Sequence, residues 1–254
     1  MQSLFADLGP MVIALSACVA LLAGIVKGAV GFAMPMVMIS GLSSLMAPDL
    51  ALAALILPTV LTNGVQALRH GLSEALGSVR RFGLFLAAGG AALVATAQLV
   101  AVLPQSVLLL FIGVPVVAFA LVQIAGWRPS LAPSRPIEAG IGAFAGAIGG
   151  VSGVWGPPTV LYLTAIETPK RDQLRIQGVI YGLGAVALIF AHLQSGVFGP
   201  RTWGFSAVMV APAFAGLWLG FRISDQIDQA TFRKATLLVL ALAGANLVRR
   251  GLVG

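Results

Sequence analysis

Residues 146–163, GAIGGVSGVWGPPTVLYL, combine the apolar composition of a membrane span with glycines and paired prolines that would interrupt a helix. A looser copy occupies residues 24–39, GIVKGAVGFAMPMVMI. Two glycines and a proline recur at the same spacing in both copies, as Gly28, Gly31 and Pro35 and as Gly150, Gly153 and Pro157. Two related broken helices in one membrane protein are typical of a transporter binding site.

The composition predicts an all-α polytopic integral membrane protein. The chain of 254 residues is 59% hydrophobic and 9% charged, and its mean hydropathy is +1.00. Such a chain cannot hide its apolar surface in a soluble core. The first ten residues contain no Lys or Arg, so the first apolar segment lacks the basic region of a cleaved signal peptide and is interpreted as a membrane helix. The single cysteine, Cys18, excludes an internal disulfide.

The net charge of +7 indicates a membrane orientation and not a nucleic-acid partner. The basic residues fall between apolar segments, which is typical of cytoplasmic loops. With ten crossings and the N-terminus outside, one set of loops contains twelve Lys and Arg and the other set contains three. We therefore predict an outside (periplasmic) N-terminus and a lipid bilayer as the surroundings.

Ten apolar segments are predicted by comparison with the length of about 20 residues that a span requires. Those of the first half are 9–26, 32–46, 50–68, 82–102 and 107–125, and those of the second are 139–148, 155–166, 176–194, 203–221 and 231–248. Charged stretches at 69–81, 167–175 and 222–234 are predicted to be loops. Each half thus contains three long spans and two short broken or re-entrant helices. The halves are 1–126 and 138–254, joined by a proline-rich linker at 127–137.

The two halves are predicted to be inverted repeats. They align at an offset of about 122 residues, the separation of Gly28 and Gly150. An odd number of crossings places equivalent loops on opposite sides, which is the arrangement that gives alternating access to a central site. Segments of 10 to 15 residues either cross or re-enter, so the prediction is between six and ten crossings.

The broken helices predict an anion site. Helices that start near Phe32 and Val154 would present free backbone N–H groups near mid-membrane, and such groups suit an anion. We expect the two starts to approach each other around one anion-sized cavity, although the glycines could also serve only close helix packing. Polar groups within spans are functional candidates. The predicted substrate-binding residues are Lys27, Gly28, Gly31, Phe32, Asn63, Gln66, Ser152, Gly153, Trp155, Gly156, Arg175 and Gln177.

Several of these residues have alternative interpretations. Lys27 is either a cation for the substrate or a lysine that extends toward the cytoplasmic surface. Arg175 carries a guanidinium that fits sulfonate oxygens, or it anchors a loop end. Asn63 and Gln66 lie one helical turn apart, so they face the same way and bind either the substrate or freed backbone groups.

Two histidines are candidates for proton coupling. His70 and His192 occupy matching positions in the repeat and titrate near neutral pH. The alternatives are an exposed loop position for His70 and an interfacial position for His192. No acidic residue lies centrally in a predicted span, so a carboxylate proton relay is not supported. The sequence predicts no metal site and no cofactor, and it gives no oligomeric state.

The motifs GGVSGVWGPPTVLYL and KGAVGFAMPMVMI, together with the chain length and the duplicated halves, resemble the TauE/SafE family of sulfite and organosulfonate exporters. The resemblance covers essentially the whole chain. It implies secondary transport of small sulfur-containing anions without ATP, in a bacterial inner membrane, with export as the expected direction and uptake as the alternative. Family members more often have glycine at the positions of Ala33, Met34, Trp155, Pro157 and Pro158.

Two other functions fit parts of the sequence. Residues 150–153 match the G-x-S-G pattern of intramembrane serine proteases, with Ser152 as nucleophile and His192 as base. The first motif has Val30 at the position of Ser152, so the glycine pattern exists without the nucleophile, which favours architecture over catalysis. We therefore predict that the protein is not an enzyme. An anion channel is the third alternative.

Overall fold

The computed structural model of the protein is helical. It describes the backbone of residues 2–97, 105–126, 132–152, 156–194, 199–200 and 202–253. Within these residues the helices are α1 (Gln2–Val30), α2 (Met34–Leu42), α3 (Pro48–Leu68), α4 (Leu72–Arg81), α5 (Gly83–Ala97), α6 (Gln105–Ile124), α7 (Arg135–Ser152), α8 (Gly156–Ala165), α9 (Lys170–Gln194), α10 (Trp203–Gln226) and α11 (Gln229–Val253). The predicted all-α fold is confirmed.

The helix lengths confirm a polytopic membrane protein. In the described part of the chain, four stretches are long and apolar enough to cross a bilayer: Leu8–Val30, Leu50–Leu68, Trp203–Gln226 and Gln229–Val253. A fifth candidate is the pair formed by α4 and α5, whose axes are bent by 71°. A hydrophobic span needs about 20 residues, and each of the four meets that length.

Parts of three predicted loops are helical. Residues 69–81 contain α4, residues 167–175 contain the start of α9, and residues 222–234 contain the end of α10 and the start of α11. A search for long apolar stretches overlooks a ten-residue amphipathic helix and the charged ends of long helices, because both have low mean hydropathy. For the same reason α7 begins at Arg135, before the predicted segment 139–148.

The first glycine motif interrupts the helix as predicted. α1 ends at Val30 and α2 begins at Met34. Gly31 and Ala33, which lie between them, have φ angles of +90° and +72° in the left-handed region. In the second motif α7 ends at Ser152 and α8 begins at Gly156, while residues 153–155 lie outside the described residues.

Two compact units make up the structure, and each takes segments from both halves of the sequence. The first unit is Met1–Gly71 with Leu174–Asp228, and it contains α1, α2, α3, most of α9, and α10. Helices α1, α3 and α10 run parallel, since the residue numbers of both partners increase from one contact to the next. The contacts are Gly24–Ala213 and Gly28–Leu217 between α1 and α10, and Leu57–Ser206 and Arg69–Asp225 between α3 and α10.

The short helix α2 returns the chain between two of these parallel helices. Its residue Gly41 faces Val19 of α1, and Met34 accepts a hydrogen bond from Thr62 of α3 at 3.4 Å. α2 is therefore antiparallel to both neighbours. Because α1 and α3 point the same way, α2 and the turn that follows must carry the chain back to the end of the unit at which α3 begins.

Glycines allow the backbones of α1 and α10 to touch. A Cβ atom at Gly28 would lie 2.3 Å from the Leu217 carbonyl oxygen, and one at Gly220 would lie 2.2 Å from the Ile25 carbonyl oxygen. Small residues at such spacing allow close helix contact in membranes. The packing interpretation of the first motif therefore accounts for Gly28.

A proline in α3 is compensated by a side chain of α10. Pro58 has no N–H to donate to the carbonyl of Ala54, four residues earlier. Ser206 donates its hydroxyl to that carbonyl at 3.2 Å and accepts a hydrogen bond from the Leu57 N–H at 3.1 Å. This contact fixes α3 against α10 at the level where α3 lacks its own hydrogen bond.

The second unit is Leu72–Gln173 with Gln229–Gly254. In it α5 and α7 run parallel with touching backbones, as shown by the pairs Phe85–Gly142, Gly89–Gly146 and Thr96–Ala147. Helices α6 and α11 run antiparallel, as shown by the pairs Leu110–Gly251 and Val117–Gly244. An ion pair of 2.9 Å joins Arg81 at the end of α4 to Glu138 in the first turn of α7.

Candidate functional site

A buried polar cluster in the first unit surrounds the break after α1. It combines the last turn of α1 with one face of α3 and the part of α9 within this unit. Five residues predicted from the sequence to bind substrate meet here: Lys27, Gly31, Asn63, Gln66 and Gln177. Each of the four with a polar side chain is almost completely buried.

Lys27 is the one charged residue of this cluster. Its side chain is 2% exposed, and its ammonium donates a short hydrogen bond to Oδ1 of Asn63. Among the residues that the structure describes, no carboxylate forms an ion pair with Lys27. This burial does not fit a lysine that extends to the membrane surface, because that lysine would expose its ammonium to water. Lys27 also lies inside α1, whereas the charge count included it among the twelve basic residues of one set of loops.

The carbonyl groups freed at the end of α1 are bound by two glutamines. Gln66 donates its amide to Gly31 O at 3.0 Å and to Leu174 O at 2.7 Å. The amide of Gln177, oriented by its hydrogen-bonding neighbours, donates to Gly31 O at 3.1 Å and to Val30 O at 3.2 Å. These amides replace the missing helical donors at the break, where an unsatisfied buried carbonyl would be costly.

Gly31 is required at the break for two reasons. Its φ of +90° disfavours any residue with a side chain. A Cβ atom at this position would also lie 1.7 Å from the terminal amide of Gln177. Phe32 follows and is buried.

A long apolar stretch of α1 precedes the break. α1 presents 23 residues from Leu8 to Val30 before the break, a length of about 34 Å at about 1.5 Å per residue. The hydrocarbon core is about 30 Å thick. Helix length alone does not fix the depth of the break, so the expectation that the first motif lies at mid-membrane stays a prediction.

The remaining predicted residues lie at other positions of the described chain or outside the described residues. Arg175 is half-buried on α9, and His70 is half-buried in the turn after α3. Gly156 is the first residue of α8 in the second unit. Gly153 and Trp155 lie outside the described residues, as do the side chains of Ser152 and His192.

The sequence interpretation missed some contributors to the cluster. Leu174 takes part through its carbonyl oxygen, which no sequence pattern reveals. Thr62 shares the buried face of α3 with Asn63 and Gln66. The spacing of positions 59, 62, 63 and 66 was a usable signal, because polar residues at these intervals lie on one face of a helix.

The family model of the sulfite exporter TauE/SafE matches residues 16–247 of the chain. The chain belongs to the sulfite exporter TauE/SafE family. The match includes both glycine motifs and all five residues of the cluster around Gly31. Comparison with curated proteins and with solved structures gave no match. The TauE/SafE match and the spans together identify a multi-pass membrane protein of a transporter family.

Proposed function

We propose that the protein is a secondary transporter that exports small sulfur-containing anions such as sulfite or organosulfonates, and that Lys27 supplies the charge that binds them. Family membership supports the class of substrate. The observation that carries the proposal is the buried ammonium of Lys27, which has an amide partner and no carboxylate partner among the described residues. A buried charge without a counter-ion is costly, and a bound anion would supply the counter-ion.

Within this site, Asn63 holds the ammonium of Lys27 in place, while Gln66 and Gln177 hold the broken end of α1. The two glutamines therefore act on the backbone and shape the site without touching the substrate. We propose that Ser152, Gly153, Trp155 and Gly156 of the second glycine motif also bind the anion. Arg175 is proposed to attract the anion, and His70 and His192 to couple its transport to the proton gradient.

Alternating access around an inverted repeat is part of the same proposal. The repeat pairs α1 with α7 and α5 with α10, so the parallel contact of α1 with α10 should recur as a contact of α7 with α5. Both contacts are present, and both are parallel. An in-plane two-fold axis makes equivalent helices antiparallel, and α6 and α11 have that relation.

The test is to give Lys27 an internal counter-ion. Asn63→Asp places a carboxylate where the amide oxygen accepts the ammonium, so the protein should fold at least as well while anion binding falls at least tenfold. Lys27→Met should abolish binding, and Lys234→Met, at an exposed position of α11, serves as the control. Sulfite-dependent shifts in melting temperature and uptake into proteoliposomes report the two effects. Full binding in Asn63→Asp would show that Lys27 is only structural, and currents that do not saturate would indicate a channel.

A further inference from the structure

Helix α4 carries an apolar face that no described part of the protein covers. Leu72, Leu76 and Val79 are 63%, 48% and 37% exposed, although they recur at the spacing of one helix face. The neighbouring face, with Ala75 and Ser78, is buried against the protein. The helix therefore has an inner face, an outer apolar face and a polar remainder.

The connection to α5 indicates what covers the apolar face. One residue, Phe82, separates α4 from α5, and the two axes are bent by 71°. If the apolar α5 crosses the membrane, α4 runs along the surface at the point where α5 enters it. The exposed face continues into α5 at Leu84, which is also exposed. The lipid bilayer can cover the exposed faces of both α4 and α5 at once. A protein partner that covered both would have to displace lipid from α5.

The charges of α4 fit this position. Arg80 and Arg81 end the helix, next to the start of α5. Arg81 is held by Glu138 of α7 at 2.9 Å, which fixes the end of α4 to the start of α7. Arg80 is exposed and makes no hydrogen bond or ion pair with any residue that the structure describes. A free cation at the edge of an interfacial helix is suited to a phosphate headgroup.

We propose that α4 is an interfacial anchor that lies in the headgroup region, with Leu72, Leu76 and Val79 among acyl chains and Arg80 on the phosphate of an anionic phospholipid. Basic residues near the membrane surface each strengthen association with anionic lipid, by about fivefold. Through the ion pair of Arg81 with Glu138, the anchor fixes the level at which α5 and α7 begin.

Fluorescence quenching tests the first part of this proposal. In a Cys18→Ser background, bimane is attached to Leu76→Cys on the apolar face or to Gly77→Cys, an exposed position with open space around it. In proteoliposomes, brominated phosphatidylcholine should quench the label at position 76 at least threefold more than the label at 77, and acrylamide should show the reverse order. Strong acrylamide quenching at 76, or protection from both quenchers, would overturn the proposal by placing the face in water or under protein.

The headgroup contact is tested with the label at position 76. Brominated phosphatidylglycerol should quench it better than brominated phosphatidylcholine, and Arg80→Gln should reduce that preference about fivefold. Arg80→Lys, which keeps the charge, should retain the preference. An unchanged preference in Arg80→Gln would contradict the assignment of Arg80 to the lipid phosphate.

Discussion

Gly31 meets three structural requirements of the break after α1. Its backbone adopts a conformation that disfavours side chains, its carbonyl accepts hydrogen bonds from two glutamines, and its Cα faces the amide of Gln177. Gly28, three residues earlier, has a different function, since it lies against the backbone of α10. In this motif Gly31 therefore permits the break after α1, and Gly28 permits the close contact of α1 with α10.

Gly31→Ala should destabilise the protein by about 1–3 kcal/mol, because it forces a residue with a Cβ into the left-handed region and displaces Gln177. The matched control is Gly64→Ala on α3, where a Cβ would meet nothing within 4 Å and helix propensity improves. Melting temperatures in the same detergent compare the two. Equal stability of both variants would contradict the geometry of the break.

At the scale of elements, α3 and α10 are joined where a proline interrupts hydrogen bonding. Ser206→Ala should cost about 1–3 kcal/mol, because it leaves the buried carbonyl of Ala54 without a donor. Pro58→Ala restores an N–H that can donate to the same carbonyl, so the cost of Ser206→Ala should be smaller in that background. A double-mutant cycle of melting free energies measures the difference, and strict additivity would show that Ser206 does not compensate for Pro58.

The elements also show how far the sequence could predict the structure. The length of the apolar stretches predicted the long spans, and the glycines and proline of the first motif predicted the break at Gly31. Both features depend on local sequence alone. These patterns overlooked α4, whose ten residues are too polar for a span, and the charged start of α9. Asn63, Gln66 and Gln177 were predicted as site residues because polar side chains within spans are costly. The partner of each amide depends on packing between segments that are distant in the sequence. The sequence therefore could not predict that Asn63 binds the Lys27 ammonium while the two glutamines bind backbone carbonyls.

At the scale of the whole molecule, the proposed inverted repeat predicts that equivalent loops face opposite sides of the membrane. In a Cys18→Ser background, Ser73→Cys should react with a membrane-impermeant maleimide only after permeabilisation, whereas Pro200→Cys should react in intact cells. Both positions are exposed, so access depends on the side of the membrane. Labelling of both from the same side would contradict the predicted topology.

The parallel course of α1, α3 and α10 has an electrostatic consequence. Each helix dipole places about half a negative charge at its C-terminal end, so three such ends gather at one end of the first unit. Lys27 lies in the last turn of α1, and Arg69, at the end of α3, pairs with Asp225 in the last turn of α10 at 2.5 Å. Lys27 and Arg69 place positive charge next to these negative helix ends, so both would be favoured there whichever way the protein is oriented in the membrane. Without them the positive-inside count still stands at ten against three, so the predicted orientation does not depend on them.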